Sequence, residues 1–205
     1  MADTSATSPG TMANDTAVGT AAWSNSDNAK ASDGSYAITN GLVAANVTNY
    51  LKATNFGFSI PSGATIDGIV VEIEKYAVSG NVKDSKLRIV NSDGSIGTTD
   101  RADTVSNWPS SDSYISYGSS SDLWGETWLA SDINDSDFGV ALSAIGIDPD
   151  DGYTPHVDHI RITIYYTETA SGPANLKSIN GLAKASIKSR NGLAIASIKS
   201  INGLQ

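Results

Sequence analysis

Apolar and polar side chains alternate with a period of two along residues 66–76. Ile69, Val71 and Ile73 fall on one face of this segment, and Glu72 falls on the other. Successive side chains of a β-strand point to opposite faces of the sheet, whereas a helix repeats after about 3.6 residues. The alternation therefore predicts a strand that is buried on one face only.

Other segments repeat this pattern and are separated by turn residues. Residues 160–166 carry an apolar or aromatic side chain at every second position, and residues 138–142 alternate in the same way. Weaker strand candidates lie at residues 35–39, 50–60, 86–90 and 114–117. Clusters of Pro, Gly, Asn and Asp separate these segments, and no stretch has the apolar periodicity of a helix of about ten or more residues. We predict an all-β protein, an antiparallel β-sandwich or jelly roll.

The composition excludes several classes of protein. With no cysteine among 205 residues, the chain can form neither a disulfide framework nor a cysteine zinc site. Its 29 serines, 17 threonines and 19 glycines suit a turn-rich β protein, and its net charge of −9 argues against a general nucleic-acid binder. No apolar run approaches the roughly 20 residues of a membrane span, and the first residues do not have the pattern of a secretory signal. We therefore expect neither a nucleic acid nor a membrane as a partner.

The charge is distributed unevenly along the chain. Residues 171–205 contain five basic residues and no acidic one, whereas all 22 acidic residues and the other eight basic residues precede them. Composition and strand pattern together predict four parts. These are an N-terminal extended arm at 1–20, a β-sandwich body at 21–168, a linker at 169–175 and a repeat tail at 176–205. The opposite charges of body and tail indicate that the two have different roles.

The tail is an internal repeat with a period of 11 residues. Its copies read LKSINGLAKAS (176–186), IKSRNGLAIAS (187–197) and the truncated IKSINGLQ (198–205). This period would also suit a right-handed coiled coil, but every copy contains Asn-Gly, and a glycine inside a helix costs about 1 kcal/mol relative to alanine. Asn-Gly is instead a strong signal for a two-residue hairpin turn. The tail is therefore predicted to be a short β-repeat.

Such short hairpins bury too little apolar surface to be stable alone. We expect the tail to pack on the body, on sister subunits or on another structure, and so to act in assembly or anchoring. Its dispersed positive charges suit an acidic protein surface better than a nucleic acid. The residues assigned to assembly are Asn180, Gly181, Leu182, Ile187, Asn191, Gly192, Leu193, Ile198, Asn202, Gly203 and Leu204.

Catalytic chemistry has little support in the sequence. The two histidines are His156 and His159, and no Gly-x-Ser-x-Gly elbow selects a serine nucleophile. Three residues apart on a strand, the histidines would face opposite ways and would not share a metal. A glycosidase needs a positioned pair of carboxylates, and nothing in the sequence selects one. We predict no catalytic residue and no enzymatic activity, although the many aspartates leave an enzyme such as a depolymerase open as a third hypothesis.

An acidic turn at residues 148–152 is the candidate metal site. Asp148, Asp150 and Asp151 offer hard oxygen ligands in a flexible loop, which suits Ca²⁺. The loop departs from the EF-hand pattern, because His159 stands where the bidentate glutamate would fall. No other cofactor is expected.

Aromatic residues between positions 114 and 128 suggest a surface for a glycan. Many β-sandwiches hold sugars by stacking the apolar face of the sugar on an aromatic ring, with polar neighbours for the hydroxyl groups. The predicted platform consists of Tyr114, Tyr117, Asp122, Trp124 and Trp128. The alternative is that the tryptophans of the chain pack in the core or at a subunit contact.

Five segments within residues 15–166 and the tail motif resemble sequences of a known family. The segments read DTAVGTAAWSN (15–25), NFGFSIPSGATIDGIVVEIE (55–74), SDLWGETW (121–128), FGVAL (138–142) and VDHIRITIYY (157–166). They resemble a family of uncharacterised proteins that is encoded among the structural genes of tailed bacteriophages and in related bacterial sequences. The tail motif KSINGL is similar to C-terminal tails of several phage virion proteins. The resemblance implies a virion component and carries no catalytic or binding residue to this chain.

These features lead to one expected function and one alternative. We expect a structural component of a tailed-phage virion surface, such as a head decoration, a fibre or a tail-associated protein, interlocked through its repeat tail. It would form a homo-oligomer, with a trimer favoured, and would contact the major capsid or tail proteins after assembly in the host cytoplasm. The alternative is a carbohydrate- or receptor-binding β-sandwich of a tail fibre or spike.

Overall fold

The computed structural model describes residues 1–149 and 152–169, and in the tail only the backbone of four two-residue strands. The described strands of the body are β1 (Ala2–Asp3), β2 (Thr11–Asp15), β3 (Ala37–Ile38), β4 (Tyr50–Thr54), β5 (Thr65–Ala77), β6 (Val82–Val90), β7 (Ser113–Ser119), β8 (Gly139–Gly146) and β9 (Pro155–Thr167). Its described helical segments are all short: α1 (Ala130–Ile133) and 3₁₀ turns at Ser26–Ala29 and Val78–Gly80.

The strands form two antiparallel sheets. Sheet I has the order β1-β9-β5-β7, with β3 also paired to β9, and sheet II has the order β2-β4-β8-β6. From β5 to β9, successive strands alternate between the two sheets, as they do in a jelly roll. The predicted all-β sandwich is confirmed.

The alternation seen in the sequence sets the faces of the two long strands. Ile69, Val71 and Ile73 of β5 are fully buried, whereas Glu72 lies on the outer face. The alternate isoleucines of β9 are buried in the same way. Together with residues of sheet II they form one core, which includes Leu51, Leu87, Phe138, Val140 and Leu142. This burial of apolar area is the main force that holds the two sheets together.

The strand β4 is shorter than the sequence predicts. It ends at Thr54 rather than near residue 60, because Asn55 and Gly57 both take left-handed backbone conformations, with φ of 58° and 69°. A strand cannot continue through positive φ. The chain therefore leaves sheet II at this point.

The predicted N-terminal arm is part of the sandwich. Its strand β1 pairs with β9 in sheet I, its strand β2 pairs with β4 in sheet II, and Met12 is buried in the core. Residues 1–167 form a single compact unit, so the predicted boundary at residue 20 is not a boundary of the described structure. The physical reason is that an extended segment can satisfy the unpaired backbone groups at the edge of each sheet.

Residues 168–205, which include the repeat tail, form a unit separate from residues 1–167. Strand β10 (Ser178–Ile179) pairs antiparallel with β11 (Leu182–Ala183), and β12 (Ser189–Arg190) pairs antiparallel with β13 (Leu193–Ala194). Each pairing leaves two residues between its strands, and in the sequence these are Asn-Gly. Of the predicted assembly residues, Leu182 and Leu193 lie in these strands. The others lie outside the described residues: Asn180, Gly181, Ile187, Asn191, Gly192, Ile198, Asn202, Gly203 and Leu204.

Candidate functional site

A β-bulge in sheet I brings a cluster of polar and aromatic side chains together. The register of β5 and β9 places Glu74 opposite His159, but the next residue, Lys75, lies opposite Val157. Asp158 is therefore an extra residue in β9, and the faces of the strand are exchanged beyond it. Around this bulge lies a group of side chains that we call the outer-face patch: Tyr36, Glu74, Tyr76, Asp112, Tyr114, His156, Asp158 and His159.

The bulge overturns the prediction for the two histidines. Directly opposite residues lie on the same face of an antiparallel pair. His159 lies opposite Glu74 and His156 lies opposite Tyr76, which is on the same face of β5 as Glu74. Both histidines therefore lie on the outer face of sheet I. The predicted opposite orientation was wrong because it assumed a regular strand.

Three carboxylates meet at the bulge. Oxygen atoms of Glu74, Asp112 and Asp158 lie within 4.8 Å of one another. Asp158 is only 2% exposed and accepts hydrogen bonds from the backbone N–H groups of Asp33 (3.3 Å) and Gly34 (3.1 Å). Burial raises the pKa of Asp112, and the negative charges of Glu74 and Asp158 raise it further. Three carboxylates at this spacing have the chemistry to coordinate a hard cation.

His159 is held between two hydroxyl groups. Its Nδ1 lies 2.8 Å from the Tyr114 hydroxyl, and its Nε2 lies 2.8 Å from the Ser8 hydroxyl of the N-terminal segment. Burial lowers its pKa, and the nearby Arg161 guanidinium lowers it further. The side chain of His159 is buried, with a relative exposure of 7%. A neutral imidazole satisfies both contacts, because it donates from one nitrogen and accepts at the other.

Partly exposed aromatic rings form one side of the outer-face patch. The rings of Tyr76 and His156 stack with their centroids 4.4 Å apart, and Tyr36 packs edge-on against both. Tyr36 donates a hydrogen bond to Asp112 (3.1 Å). Burial is the largest cause that raises the pKa of Tyr36 to about 12, and the Asp112 carboxylate is the next. A shallow hollow of about 480 Å³ borders His156 and is lined by Ile38, Asn40, Val78, Gly152, Tyr153 and Thr154.

Arg161 lies at the other side of the outer-face patch, next to Tyr114. Its guanidinium donates two hydrogen bonds to Glu72 (2.9 and 3.0 Å) and lies 4.0 Å above the ring of Tyr114. This bidentate pairing raises the pKa of Arg161, so the group stays charged. Tyr114, the one residue of the predicted glycan platform that lies on this face, is held between Arg161 and His159.

The rest of the predicted glycan platform does not assemble. Tyr117, Trp124 and Trp128 are buried in the core, and both indole N–H groups are satisfied by backbone carbonyls. Large aromatic side chains gain more from leaving water completely than from covering part of a sugar. Asp122 pairs instead with Arg101 through two hydrogen bonds of 2.9 and 2.8 Å and accepts another from the backbone of Trp124. The alternative, that the tryptophans pack in the core, is the one the structure bears out.

The predicted Ca²⁺ loop is only partly described. Asp148 accepts hydrogen bonds from the side chains of Asn81 (3.0 Å) and Tyr153 (3.1 Å), which tie the turn to the end of the sandwich. Asp150 and Asp151 lie outside the described residues. Among the residues that the structure describes, a cluster of three acidic side chains lies at the bulge. It combines residues 38 or more positions apart, namely Glu74, Asp112 and Asp158. No short sequence window could have grouped them.

Comparison with models of protein families, with curated proteins and with solved structures finds no match to this chain. In the part of the chain that the structure describes, no helix has the length and apolar character to cross a bilayer.

Proposed function

We propose that this protein is a structural component of the surface of a tailed-phage particle. Its sandwich would form the folded body, and its repeat tail would attach it to sister subunits or to another virion protein. The observation that carries the proposal is the regularity of the tail. Ser178 pairs with Ala183 in the first hairpin, and 11 residues later Ser189 pairs with Ala194 in the second.

A repeated hairpin of this size favours a role in assembly. Two-stranded hairpins are marginally stable in water and need a further surface on which to pack. The tail belongs to a unit, residues 168–205, that is distinct from residues 1–167. A partner surface would therefore supply the apolar contacts that the hairpins lack, and in a particle built of many copies such surfaces recur.

Charge indicates the chemistry of that surface. Residues 171–205 carry five basic and no acidic residues, whereas residues 1–170 carry 22 acidic and eight basic ones. Opposite charges favour the association of a basic tail with an acidic body. In a homo-oligomer, the acidic surfaces closest to a tail are the bodies of the sister subunits. A trimer is the arrangement that we favour.

Deletion of residues 171–205 tests the proposal. We expect the truncated body to fold but to be missing from purified particles, as measured by quantitative mass spectrometry of virions from cells that express it in place of the full chain. Two further variants separate turn geometry from charge. The variant for turn geometry replaces the glycine of each Asn-Gly pair with Val, at Gly181, Gly192 and Gly203. The variant for charge replaces three lysines with Gln, at Lys177, Lys184 and Lys188. Normal incorporation of the truncated body would refute the anchoring role.

A second candidate function is glycan binding by the outer-face patch. The favouring observation is that Tyr36, Tyr76 and His156 are only partly buried and lie beside the carboxylate of Asp112, so a ring face and polar groups meet at one surface. Tyr76→Ala should abolish binding on a glycan array. Tyr165→Ala is the matched control, because Tyr165 lies on the outer face of the same sheet near the other end of β9. Absence of binding by the wild-type chain across a broad array would contradict this candidate.

A further inference from the structure

A lysine and an aspartate meet inside the sandwich. Lys75 follows Ile73 in the inward-facing series of β5 and is 2% exposed, and Asp84 of β6 is fully buried. The two strands belong to different sheets, and the 3₁₀ turn at Val78–Gly80 lies between them along the chain. Lys75 Nζ lies 2.5 Å from Asp84 Oδ1.

Both oxygens of the Asp84 carboxylate are held in place by several donors. Oδ1 accepts hydrogen bonds from Lys75 and from Trp108 Nε1 (2.7 Å), and Oδ2 accepts from the Tyr117 hydroxyl (2.6 Å) and the backbone N–H of Asp103 (3.1 Å). The Lys75 amine also contacts the Tyr117 oxygen at 2.5 Å and lies 4.5 Å from the centroid of the Trp108 ring. A fixed amine, a fixed carboxylate and a hydroxyl that touches both are thus buried together.

Burial acts against the charged form of the Lys75 amine. Removing an ammonium and a carboxylate from water costs several kcal/mol per ion in a protein interior. Burial lowers the pKa of Lys75, although the neighbouring Asp84 carboxylate acts in the opposite direction. Relay of one proton from the amine through the Tyr117 hydroxyl to Oδ2 of Asp84 gives a neutral amine, which is a nucleophile, and a neutral carboxylic acid, which is an electrophile.

We propose that Lys75 and Asp84 join through an amide bond between Nζ and Cγ, so that the two sheets of the sandwich are covalently cross-linked. The bond would form within the folded chain, because the strands bring the two groups together only after the sandwich has closed. Holding the two groups in fixed positions lowers the activation barrier of their reaction, so that no external catalyst is needed.

The reaction balances as a condensation that releases one water. The Nζ lone pair attacks Cγ and forms the C–N bond, while the C=O π electrons move to Oδ1, where Trp108 Nε1–H donates to the developing negative charge. Tyr117 then accepts a second proton from the nitrogen and donates its own to Oδ2, which already carries the first proton and now bears two. The C–Oδ2 bond then breaks, water leaves and the carbonyl re-forms at Oδ1. A cavity of about 50 Å³, lined by Lys75, Asp84 and Tyr117 among others, adjoins the pair and has room for that water.

Intact mass spectrometry of the full-length, folded protein tests the bond. The mass should be about 18 Da below the sum for the sequence, the mass of one water. Trypsin applied after denaturation should not cleave at a modified Lys75, and it should yield peptide 53–83 joined to peptide 84–86. Recovery of separate peptides 53–75, 76–83 and 84–86 from the folded protein would overturn the proposal and leave an ion pair.

The peptide map also excludes a confounding reaction. Asp-Gly sequences, such as those at residues 67–68 and 93–94, can lose one water through a succinimide. An 18 Da deficit (about one water) that maps to such a peptide, with Lys75 cleaved normally, would count against the amide. In Lys75→Met the deficit and the joined peptide should both disappear. In Tyr117→Phe, which keeps the ring and removes the proton relay, the joined peptide should accumulate at least about tenfold more slowly after refolding. Equal rates would exclude Tyr117 as the relay.

Discussion

The ring of His156 stacks on the ring of Tyr76, at a centroid distance of 4.4 Å and an interplanar angle of 13°. The two residues are opposite each other in the β5–β9 pairing, two positions along β5 from the Glu74–His159 pair. This stacking exists because Asp158 is an extra residue that returns His156 to the outer face. The bulge therefore creates the outer-face patch by bringing both histidines to one side of sheet I.

Asp158→Asn should loosen the bulge and change the ionisation of its neighbour. The substitution removes the negative charge that accepts hydrogen bonds from Asp33 and Gly34, and we expect a loss of about 1–3 kcal/mol in the free energy of unfolding. It also removes one of the charges that raise the pKa of Asp112, so that pKa should fall. Urea unfolding and an NMR titration of the carboxyl carbons measure the two effects. An unchanged Asp112 titration would contradict the proximity of the three carboxylates.

Acid should destabilise the body through His156 and His159. Burial is the main cause of the lowered pKa of each folded imidazole, whereas in the unfolded chain each titrates near its usual value of about 6.5. The unfolded chain therefore binds protons first as the pH falls. The stability that these residues contribute is complete above about pH 6.5 and is lost as the pH decreases towards the folded pKa values, by at most about 1.4 kcal/mol per pH unit for each histidine.

His159→Gln separates this contribution from the rest of the titration. The variant should show a shallower dependence of unfolding free energy on pH between about 6.5 and 5 than the wild type does. Chemical denaturation at several pH values gives the slopes directly. Identical slopes in the two proteins would show that His159 titrates alike in the folded and unfolded states.

Trp124→Ala should destabilise the fold instead of removing a surface contact. The Trp124 side chain is 1% exposed, and its indole donates to the carbonyl of Ile69 at 3.1 Å. Truncation of a buried tryptophan to alanine costs about 3–5 kcal/mol. Trp124→Phe, which keeps most of the apolar area, should cost less. Equal stabilities of the wild type and Trp124→Ala in thermal or urea unfolding would contradict the burial of this ring.

Gly139→Ala should be far more destabilising than Gly94→Ala. A Cβ at Gly139 would lie 1.9 Å from the backbone oxygen of Ala53 on the neighbouring strand β4, so β4 and β8 would have to separate. We expect a cost of about 3 kcal/mol or more. Gly94 has a φ of 79° but open space around it, and its substitution should cost only about 1 kcal/mol of backbone strain. Similar midpoints of urea unfolding for the two variants would refute the close approach of the strands.

The periodic pattern of the sequence fixes which side chains of β5 enter the core. Ile69, Val71 and Ile73 are inward because neighbouring side chains on a strand must alternate, and this local rule needs no knowledge of the partner strand. The same rule places Lys75 inward, two positions after Ile73, and this signal was present in the sequence. The paired strands on either side of Asn-Gly in the tail also follow from local turn chemistry.

The outer-face patch depends on pairings between distant parts of the chain. The register shift of β5 against β9 turns His156 to the outer face beside Tyr76, and no local pattern contains that shift. Likewise, the burial of Trp124 and the meeting of Lys75 with Asp84 depend on how the two sheets close over one another. The sequence by itself determined the main strands of the body, the buried face of β5 and the separate repeat tail, because these follow from interactions between residues close in the chain. Only the tertiary structure decided which polar groups meet, because long-range register and packing place them together.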